Sequence, residues 1–244
     1  MPEGPSIRIL QEAANSFSGK TVEKAHGNAK IDMARLANQE IKALLTWGKH
    51  FLIVFEDFTV RIHLLMFGSY RINERKDAIP RLALLFKDGQ ELNFYTCSVK
   101  YLEGDINTHY DWSADVMSDS WDAAAARKKL RANASMLVCD ALLEQDIFSG
   151  VGNIIKNEVL FRIRLHPLST VGSLPSAKLT ALVTQARKYS FEFLEWKKAF
   201  VLKQHWLAHT KKICPRCQIP FLKGHLGQKK RRAFYCERCQ KKYT

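Results

Sequence analysis

Residues 214–239 begin with Cys214-Pro-Arg-Cys217 and end with Cys236-Glu-Arg-Cys239, and 18 residues separate the two cysteine pairs. Each pair places two sulfur atoms on one tight turn, and two such turns close a tetrahedron around a zinc ion, with bonds of about 2.3 Å. Two disulfides or an iron site are the alternatives, and a reducing compartment disfavours the disulfides. Four thiolates leave no open position for water. The spacing therefore predicts one structural zinc ion in a small hairpin.

The basic charge of the chain is concentrated around this hairpin. The net charge is +14, and residues 197–244 contain 14 Lys and Arg against one acidic residue, Glu237. Such an asymmetry indicates a polyanionic partner, with nucleic acid favoured over a merely solvated basic tail. A run of four basic residues lies between the cysteine pairs, where a rigid hairpin would present it to phosphates: Lys229, Lys230, Arg231 and Arg232.

The N-terminal half has the pattern of one short helix followed by antiparallel strands. An apolar stripe at helical spacing covers residues 7–17. From 21 to 104, short runs rich in Val, Ile, Leu and Phe are separated by turn signals at Glu56-Asp57 and Asp88-Gly89. This pattern predicts the hairpins of a β-sandwich or barrel.

The C-terminal half changes character after a polar stretch at 105–119, which predicts an interdomain linker. Helical periodicity follows in four segments, 121–131, 137–145, 151–161 and 177–200, and is absent from the last 35 residues. The sequence thus predicts an α+β multidomain protein. The expected domains are an N-terminal helix with a sandwich (1–112), a helical domain (120–205) and the cysteine module (206–244).

Two short motifs are candidates for binding. Ser149-Gly150-Val151-Gly152-Asn153 lies between helical segments, so a helix beginning near Asn153 would offer free amides to an anion, although most Gly-x-Gly sequences are ordinary turns. Leu65, Met66 and Phe67 continue an apolar run past the end of a strand pattern. They form either a doubly buried strand end or an exposed wedge that can enter a base stack.

Composition excludes several classes of protein. Hydrophobic residues make up 46% and charged residues 25% of the chain, which indicates a soluble globular protein. Apolar runs are far shorter than the roughly 20 residues of a membrane helix. Glu3 stands where a secretory signal would be basic, so we expect a cytoplasmic protein with reduced thiols and with Cys97 and Cys139 in its core. Removal of Met1 before Pro2 would expose a nucleophilic α-amine.

Together these residues resemble the bacterial formamidopyrimidine-DNA glycosylase and endonuclease VIII family of base-excision repair enzymes, over essentially the whole chain. The resemblance is carried by five motifs in order: Met1-Pro2-Glu3-Gly4-Pro5; Trp47-Gly48-Lys49; Leu142-Leu143-Glu144-Gln145 leading into Gly150-Val151-Gly152-Asn153; Glu158 with His166-Pro167; and the cysteine finger containing Arg231 and ending in Gln240.

The resemblance implies a fold and a chemistry. The fold is a helix with a β-sandwich, a helical domain with a helix-two-turns-helix motif, and a zinc finger, with damaged double-stranded DNA in the cleft between the halves. Pro2 would attack C1′ of a flipped nucleotide and form an iminium ion, Glu3 would act as general acid, and β,δ-elimination would follow. Lys49, Asn153 and Arg231 match positions that hold phosphates, and Leu65, Met66 and Phe67 match those that fill the gap left by the base.

Two departures from the family pattern bear on the substrate. Ser6 stands where most members have Glu, which puts proton handling during base release in question. The Asp-x-Arg-x-Phe-Gly stretch of the formamidopyrimidine branch is replaced by Thr96-Cys97-Ser98-Val99-Lys100-Tyr101, and the segment 193–209 is predicted to be helical and basic instead of forming a lesion-capping loop. Both absences favour the endonuclease VIII branch and oxidised pyrimidines.

Three alternative functions remain at this level. The first is a purine-preferring glycosylase acting on 8-oxoguanine or formamidopyrimidines. The second is a non-catalytic zinc-finger protein that recognises damaged DNA, and the third is an RNA-binding zinc-ribbon protein. The resemblance also implies a monomer in the bacterial cytoplasm, associated with the nucleoid through DNA and without a membrane partner.

Overall fold

The computed structural model describes residues 2–244, and contacts within the chain divide it into two compact units. The first unit ends at Asp111 and the second begins at Trp112. Each unit has a hydrophobic core of its own, as their different residue patterns predict.

The first unit opens with helix α1 (Gly4–Ala14), which runs into a 3-10 turn at Asn15–Phe17. The helix begins earlier than its apolar stripe because Pro5, in the first turn, has a backbone angle that suits a helix start. The predicted stripe forms the buried face: Ile7, Leu10, Ala14 and Phe17. This face packs into the core of the sandwich.

Two antiparallel sheets follow in the first unit. The strands are β1 (Val22–His26), β2 (Ala43–Trp47), β3 (His50–Val54), β4 (Phe58–His63), β5 (Ser69–Ile72), β6 (Leu82–Phe86), β7 (Glu91–Tyr95) and β8 (Ser98–Glu103). One sheet has the order β1-β6-β7-β5 and the other β2-β3-β4-β8. The predicted sandwich is confirmed, and both predicted turns form hairpins, β3–β4 at 56–57 and β6–β7 at 88–89.

The second unit combines helices with one hairpin. Its elements are α2 (Ala123–Ala132), α3 (Val138–Ala141), α4 (Asn153–Arg162), α5 (Ser176–Lys198), β9 (Leu222–Leu226) and β10 (Arg231–Tyr235). Helices α4 and α5 supply much of its core. A small apolar cluster around the cysteines includes Phe161 of α4, so the cysteine module is packed on that helix.

Two segments differ from their predicted structure. The polar stretch 105–119 is not a free linker throughout, because Val116 is fully buried in the second core and its backbone amide donates to the carbonyl of Ser149 at 3.3 Å. The predicted helix across 193–209 is wrong beyond Lys198, because Phe200 adopts a left-handed φ of 61° and only a 3-10 turn, Leu202–His205, follows. Within residues 2–244, no helix has the length and apolarity required to cross a membrane.

Candidate nucleic-acid interface and metal centre

Pro2 and Glu3 lie at the start of α1, where Glu3 occupies the N-cap position with an extended backbone. The backbone carbonyl of Glu3 accepts a hydrogen bond from the amide of Ser6 at 2.8 Å, while its side chain does not cap the helix. Glu3 is only 1% exposed, whereas Pro2 and Ser6 are half-buried. The buried Glu3 thus directly follows Pro2 at the start of α1. Met1, and its expected removal, lie outside the described residues.

Lys49 lies in the tight turn between β2 and β3. Trp47 and His50 are paired across this turn, and Gly48 has a φ of 55°, which glycine adopts without strain. The turn is anchored because the indole Nε1 of Trp47 donates to the carbonyl of Asp111 at 2.9 Å. Lys49 is half-buried at this anchored site, so the protein fixes its backbone before any ligand binds.

A group of ring side chains that the sequence analysis did not identify lies beside Lys49. His50 pairs with His63 across β3 and β4, and its Nδ1 lies 3.1 Å from the hydroxyl of Tyr110. Burial lowers the pKa of His50 to about 3, with further lowering by the charge of Arg61, and burial also lowers the pKa of His63. Burial raises the pKa of Tyr110 to about 12. The cluster therefore holds neutral imidazoles at neutral pH.

Leu65, Met66 and Phe67 project from the turn after β4. Leu64 is buried, but the next three side chains are exposed, and Phe67 is 79% exposed. The amide of Gly68 closes the turn by donating to the carbonyl of Leu64 at 2.7 Å, and a Cβ on Gly68 would collide with that carbonyl oxygen. The sequence allowed either a doubly buried strand end or an exposed wedge, and these side chains are exposed.

In the second unit, Asn153 is the first residue of α4, and Gly152 occupies the N-cap position. Gln145 holds the preceding loop, because its Nε2 donates to the carbonyl of Val151 at 3.2 Å and its Oε1 accepts from the amide of Gly150 at 3.2 Å. Among the described residues, the buried Oδ1 of Asn153 has no hydrogen-bond partner. The Asn153 side chain is therefore available to a ligand at the positive end of a helix.

Helix α4 also holds strand β10, which begins at Arg231. Asn157 donates from Nδ2 to the carbonyl of Asn153 at 2.8 Å and to that of Arg232 at 3.2 Å, and its Oδ1 accepts from the amide of Phe234 at 3.2 Å. The ammonium of the buried Lys156 donates to the same Arg232 carbonyl at 3.1 Å. One buried amide thus joins Asn153 to β10, the strand that begins with Arg231.

The turn between β9 and β10 is held by α3. The carboxylate of Asp140 accepts from the amides of Gln228 and Lys229 at 2.9 and 3.1 Å, and a Cβ on Gly227 would collide with that carboxylate. The ammonium of Lys229 forms an ion pair with Glu144 at 2.8 Å. Lys229, the first of the four basic residues at 229–232, is therefore already paired with an acidic side chain of the protein.

Glu158 and His209 contribute a second fixed turn that the sequence did not predict. The fully buried carboxylate of Glu158 accepts three backbone amides, from Leu207, Ala208 and His209, at 2.9, 2.9 and 2.7 Å. Burial lowers the pKa of His209 to about 4, and the charge of Lys156 lowers it further. These contacts position the chain that enters the cysteine module.

The four cysteines of the predicted metal centre converge. Their sulfur atoms all lie within 4.8 Å of one another, and those of Cys214 and Cys239 are 3.8 Å apart. A tetrahedron with metal–sulfur bonds of about 2.3 Å has edges of about 3.8 Å, so the donor set fits a zinc ion. Cys97 and Cys139 are free and buried, as predicted.

Comparison with known proteins identifies the class. Residues 1–97 match the sequence model described as the formamidopyrimidine-DNA glycosylase N-terminal domain, and residues 113–201 match the formamidopyrimidine-DNA glycosylase H2TH domain. The described fold, with its sandwich, its helical domain and its four-cysteine cluster, is that of a formamidopyrimidine-DNA glycosylase. The chain belongs to the formamidopyrimidine-DNA glycosylase family.

Curated relatives are endonuclease 8-like proteins. The chain is 31% identical over 242 residues to endonuclease 8-like 3 of Mus musculus, covering 93% of this chain and 40% of that protein. It is 32% identical over 189 residues to endonuclease 8-like 2 of Bos taurus, covering 72% and 56%. The chain thus spans only about two fifths of the length of the endonuclease 8-like 3 proteins. These relatives are vertebrate, so they do not support the expected bacterial origin.

Solved structures show the same fold at low identity. A formamidopyrimidine-DNA glycosylase of Lactococcus lactis, non-covalently bound to DNA containing an AP site, superposes with a TM-score of 0.86 and 19% identity, covering 98% of this chain and 100% of that one. A viral DNA glycosylase gives a TM-score of 0.83 and 19% identity, covering 98% and 99%.

Proposed function

We propose that the protein is a bifunctional DNA glycosylase and AP lyase of base-excision repair. The observation that carries this proposal is the carboxyl group of Glu3, buried at 1% exposure beside Pro2 at the start of α1. A buried carboxylic acid next to a secondary amine supplies the proton donor and the nucleophile that the reaction needs. Family membership supports the assignment.

The chemistry rests on the α-amine of Pro2. An α-amine has a pKa of about 8, so part of it is unprotonated at neutral pH and can attack C1′ of a damaged nucleotide. The base departs with the electrons of the glycosidic bond, the sugar ring opens as Glu3 protonates its oxygen, and an iminium ion forms between Pro2 and C1′. The iminium acidifies the C2′ proton, so that β- and then δ-elimination cut the strand.

Contacts to DNA are proposed for both units. Lys49 in the first unit, and Asn153 and Arg231 in the second, would bind phosphates beside the flipped nucleotide. The exposed Leu65, Met66 and Phe67 would fill the space that the base leaves. The anchored turn of Lys49 and the buried amide joining Asn153 to β10 support these roles, because both fix the ligand positions in advance.

Oxidised pyrimidines are the proposed substrates. In support, Thr96 and Cys97 alone connect β7 with β8, so this connection has no room for an inserted wedge loop. The similarity to endonuclease 8-like proteins points the same way. Purine lesions, including 8-oxoguanine and formamidopyrimidines, are the second candidate, favoured by the similarity of fold to the formamidopyrimidine-DNA glycosylase of Lactococcus lactis.

We propose a structural zinc ion held by Cys214, Cys217, Cys236 and Cys239. Zinc would supply only rigidity here, because four thiolates leave no position for a reacting group. We also propose that the protein acts as a monomer on damaged duplex DNA in the bacterial cytoplasm. The bacterial origin, the cytoplasmic location and the three-domain division stay predictions.

Borohydride trapping tests the proposal. The purified protein, whose start at Pro2 is verified by intact-mass spectrometry, is mixed with duplexes carrying dihydrouracil, 8-oxoguanine or an AP site and then reduced. We expect a covalent adduct with dihydrouracil and with the AP site, and little with 8-oxoguanine. The reverse lesion order would identify the purine-preferring enzyme. Tight binding without any adduct would overturn the catalytic assignment in favour of a non-catalytic DNA-binding protein, and preference for RNA would favour the zinc-ribbon alternative.

A further inference from the structure

Phe200, just beyond the end of α5, is the most exposed of the large apolar side chains of the described residues, with 95% of its surface accessible. Its backbone has a φ of 61°, in the left-handed region that a side chain with a Cβ rarely adopts. An aromatic residue is therefore held in water in an unfavourable conformation. The left-handed backbone is that of a helix C-terminal cap, but this cap leaves the ring itself almost entirely uncovered.

The turn that carries Phe200 is well fixed. The amide of Phe200 donates to the carbonyl of Lys197 at 3.1 Å, and the amide of Val201 donates to that of Trp196 at 2.9 Å. The Trp196 ring stacks on the ring of His205, with centroids 4.1 Å apart and an angle of 4° between the planes. These contacts close the turn from both sides, so the Phe200 ring is presented outward by a rigid backbone.

The surroundings of Phe200 are cationic. Residues 197–212 contain five lysines and no acidic residue. Lys197 and Lys203, on either side of Phe200 in sequence, are both exposed. An exposed aromatic ring among cationic side chains is the combination with which proteins bind single-stranded nucleic acid, because phosphates pair with the cations while a base stacks on the ring.

We propose that Phe200 is a base-stacking contact for an unpaired nucleotide of the DNA strand. The proposal rests on the proposed function in taking DNA as the ligand. A base inside an intact duplex is covered by its neighbours on both faces, so the ring selects bases that are already unstacked, as in single strands or around a disrupted site. This contact lies in the second unit and is separate from the exposed turn of Leu65, Met66 and Phe67.

The test measures binding of an unmodified single-stranded oligonucleotide containing one 2-aminopurine, whose fluorescence is quenched by stacking. We expect Phe200→Ala to bind this strand about tenfold more weakly and to lose part of the quenching, since stacking typically contributes a factor of that order per base. Phe200→Trp should restore both properties, while Phe200→Leu should resemble the alanine variant. Affinity for an intact, undamaged duplex should change little.

Two controls separate stacking from loss of structure. Phe191→Ala removes a phenylalanine of α5 that already contacts the Arg187 guanidinium at 5.1 Å, and it should bind the strand as wild type does. Phe200→Gly removes the ring and relieves the left-handed strain, so it should melt no lower than wild type and still bind weakly.

The inference is overturned if Phe200→Leu binds the single strand as tightly as wild type, because an apolar contact would then suffice. It is also overturned if Phe200→Ala loses affinity for vesicles of anionic lipid and not for the oligonucleotide. Borohydride trapping at an AP site is run on the same variants. If wild type forms no adduct while its binding to the single strand still depends on Phe200, the proposed catalysis is rejected and the stacking contact stands.

Discussion

The side-chain amide of Asn157 donates a hydrogen bond to the backbone carbonyl of Arg232 at 3.2 Å, and its oxygen accepts from the amide of Phe234, two residues further along β10. The same amide nitrogen donates to the carbonyl of Asn153, one turn earlier on α4. One buried side chain therefore sets the position of β10 against the start of α4. Because Arg231 begins β10, its backbone is placed by a residue that has no contact with DNA in the proposed interface.

Asn157→Ala should destabilise the second unit and weaken DNA binding. The substitution leaves the Arg232 carbonyl and the Phe234 amide without this partner in a buried region, which costs about 2 kcal/mol of unfolding free energy. Urea denaturation followed by circular dichroism measures the loss, and a duplex titration should show weaker binding under native conditions. Thr184→Ala, on the exposed face of α5, is the control and should stay within about 0.5 kcal/mol of wild type. Unchanged stability in Asn157→Ala would contradict the bridging role.

Loss of one cysteine ligand should release the metal and unfold the cysteine module. We expect one zinc per chain by elemental mass spectrometry, and much less in Cys239→Ser, whose hydroxyl is a poor substitute for a thiolate ligand. Since structural zinc contributes on the order of 10 kcal/mol in small zinc domains, the variant should lose DNA affinity and melt earlier. Cys97→Ser, which changes a thiol outside the cluster, should retain its zinc. If removing the metal from the wild-type protein left its melting temperature unchanged, this prediction would be contradicted.

The parts of the fold that the sequence predicted depend on local signals. The apolar stripe of α1, the Asp88-Gly89 turn and the two Cys-x-x-Cys pairs each encode their geometry within a few residues. Only Val138–Ala141 is helical in the predicted segment 137–145, and the side chain of Gln145 instead accepts a hydrogen bond from the amide of Gly150 in the loop that follows. A contact between a side chain and a nearby loop leaves no periodic pattern in the sequence.

The candidate site likewise contains features that local sequence signals predict and features that arise only from tertiary structure. Exposure of Leu65, Met66 and Phe67 was one of two possibilities in the sequence, and the tight closure at Gly68 decided it. The cluster of His50, His63 and Tyr110 was missed because strand register and a contact across 60 residues bring it together. Neither relationship could be predicted from the spacing of a sequence motif.

Acidification should destabilise the first unit through His50. Its folded pKa of about 3 lies below an unfolded value of about 6.5, so the unfolded chain binds more protons between these values, and stability falls as the pH decreases through this window. At pH 5 this site alone costs about 2 kcal/mol. His50→Gln should show a flatter stability profile below pH 6.5 than wild type, as measured by urea denaturation at a series of pH values. The exposed His26→Gln variant should follow wild type, and an equally flat profile there would refute the assignment to His50.

Glu3→Gln separates base release from strand cleavage. The amide keeps the size of the side chain but donates no proton, so release of dihydrouracil should slow by at least about 100-fold. Cleavage at a preformed AP site should be affected much less, because the base is already absent and the sugar equilibrates with its ring-opened aldehyde without a proton from Glu3. The two rates are measured by chromatography of the free base and by gel electrophoresis of the strand, with Glu12→Gln on α1 as control. Equal losses in both rates would rule out the proposed proton-donor role of Glu3.

In the exposed turn after β4, the backbone shape and the contact of the Phe67 side chain with DNA can be tested by separate substitutions. Gly68→Ala places a Cβ against the carbonyl oxygen of Leu64, so the turn must deform at a cost of about 1–3 kcal/mol, measured by thermal unfolding. Phe67→Ala removes a side chain that is 79% exposed, so stability should change by less than about 0.5 kcal/mol. If Phe67 fills the space left by a flipped base, Phe67→Ala should nevertheless weaken binding to a duplex carrying an AP-site analogue by about tenfold, while binding to undamaged duplex changes little. A Phe67→Ala protein that binds both duplexes as wild type does would remove Phe67 from the interface, whatever the effect of Gly68→Ala on stability.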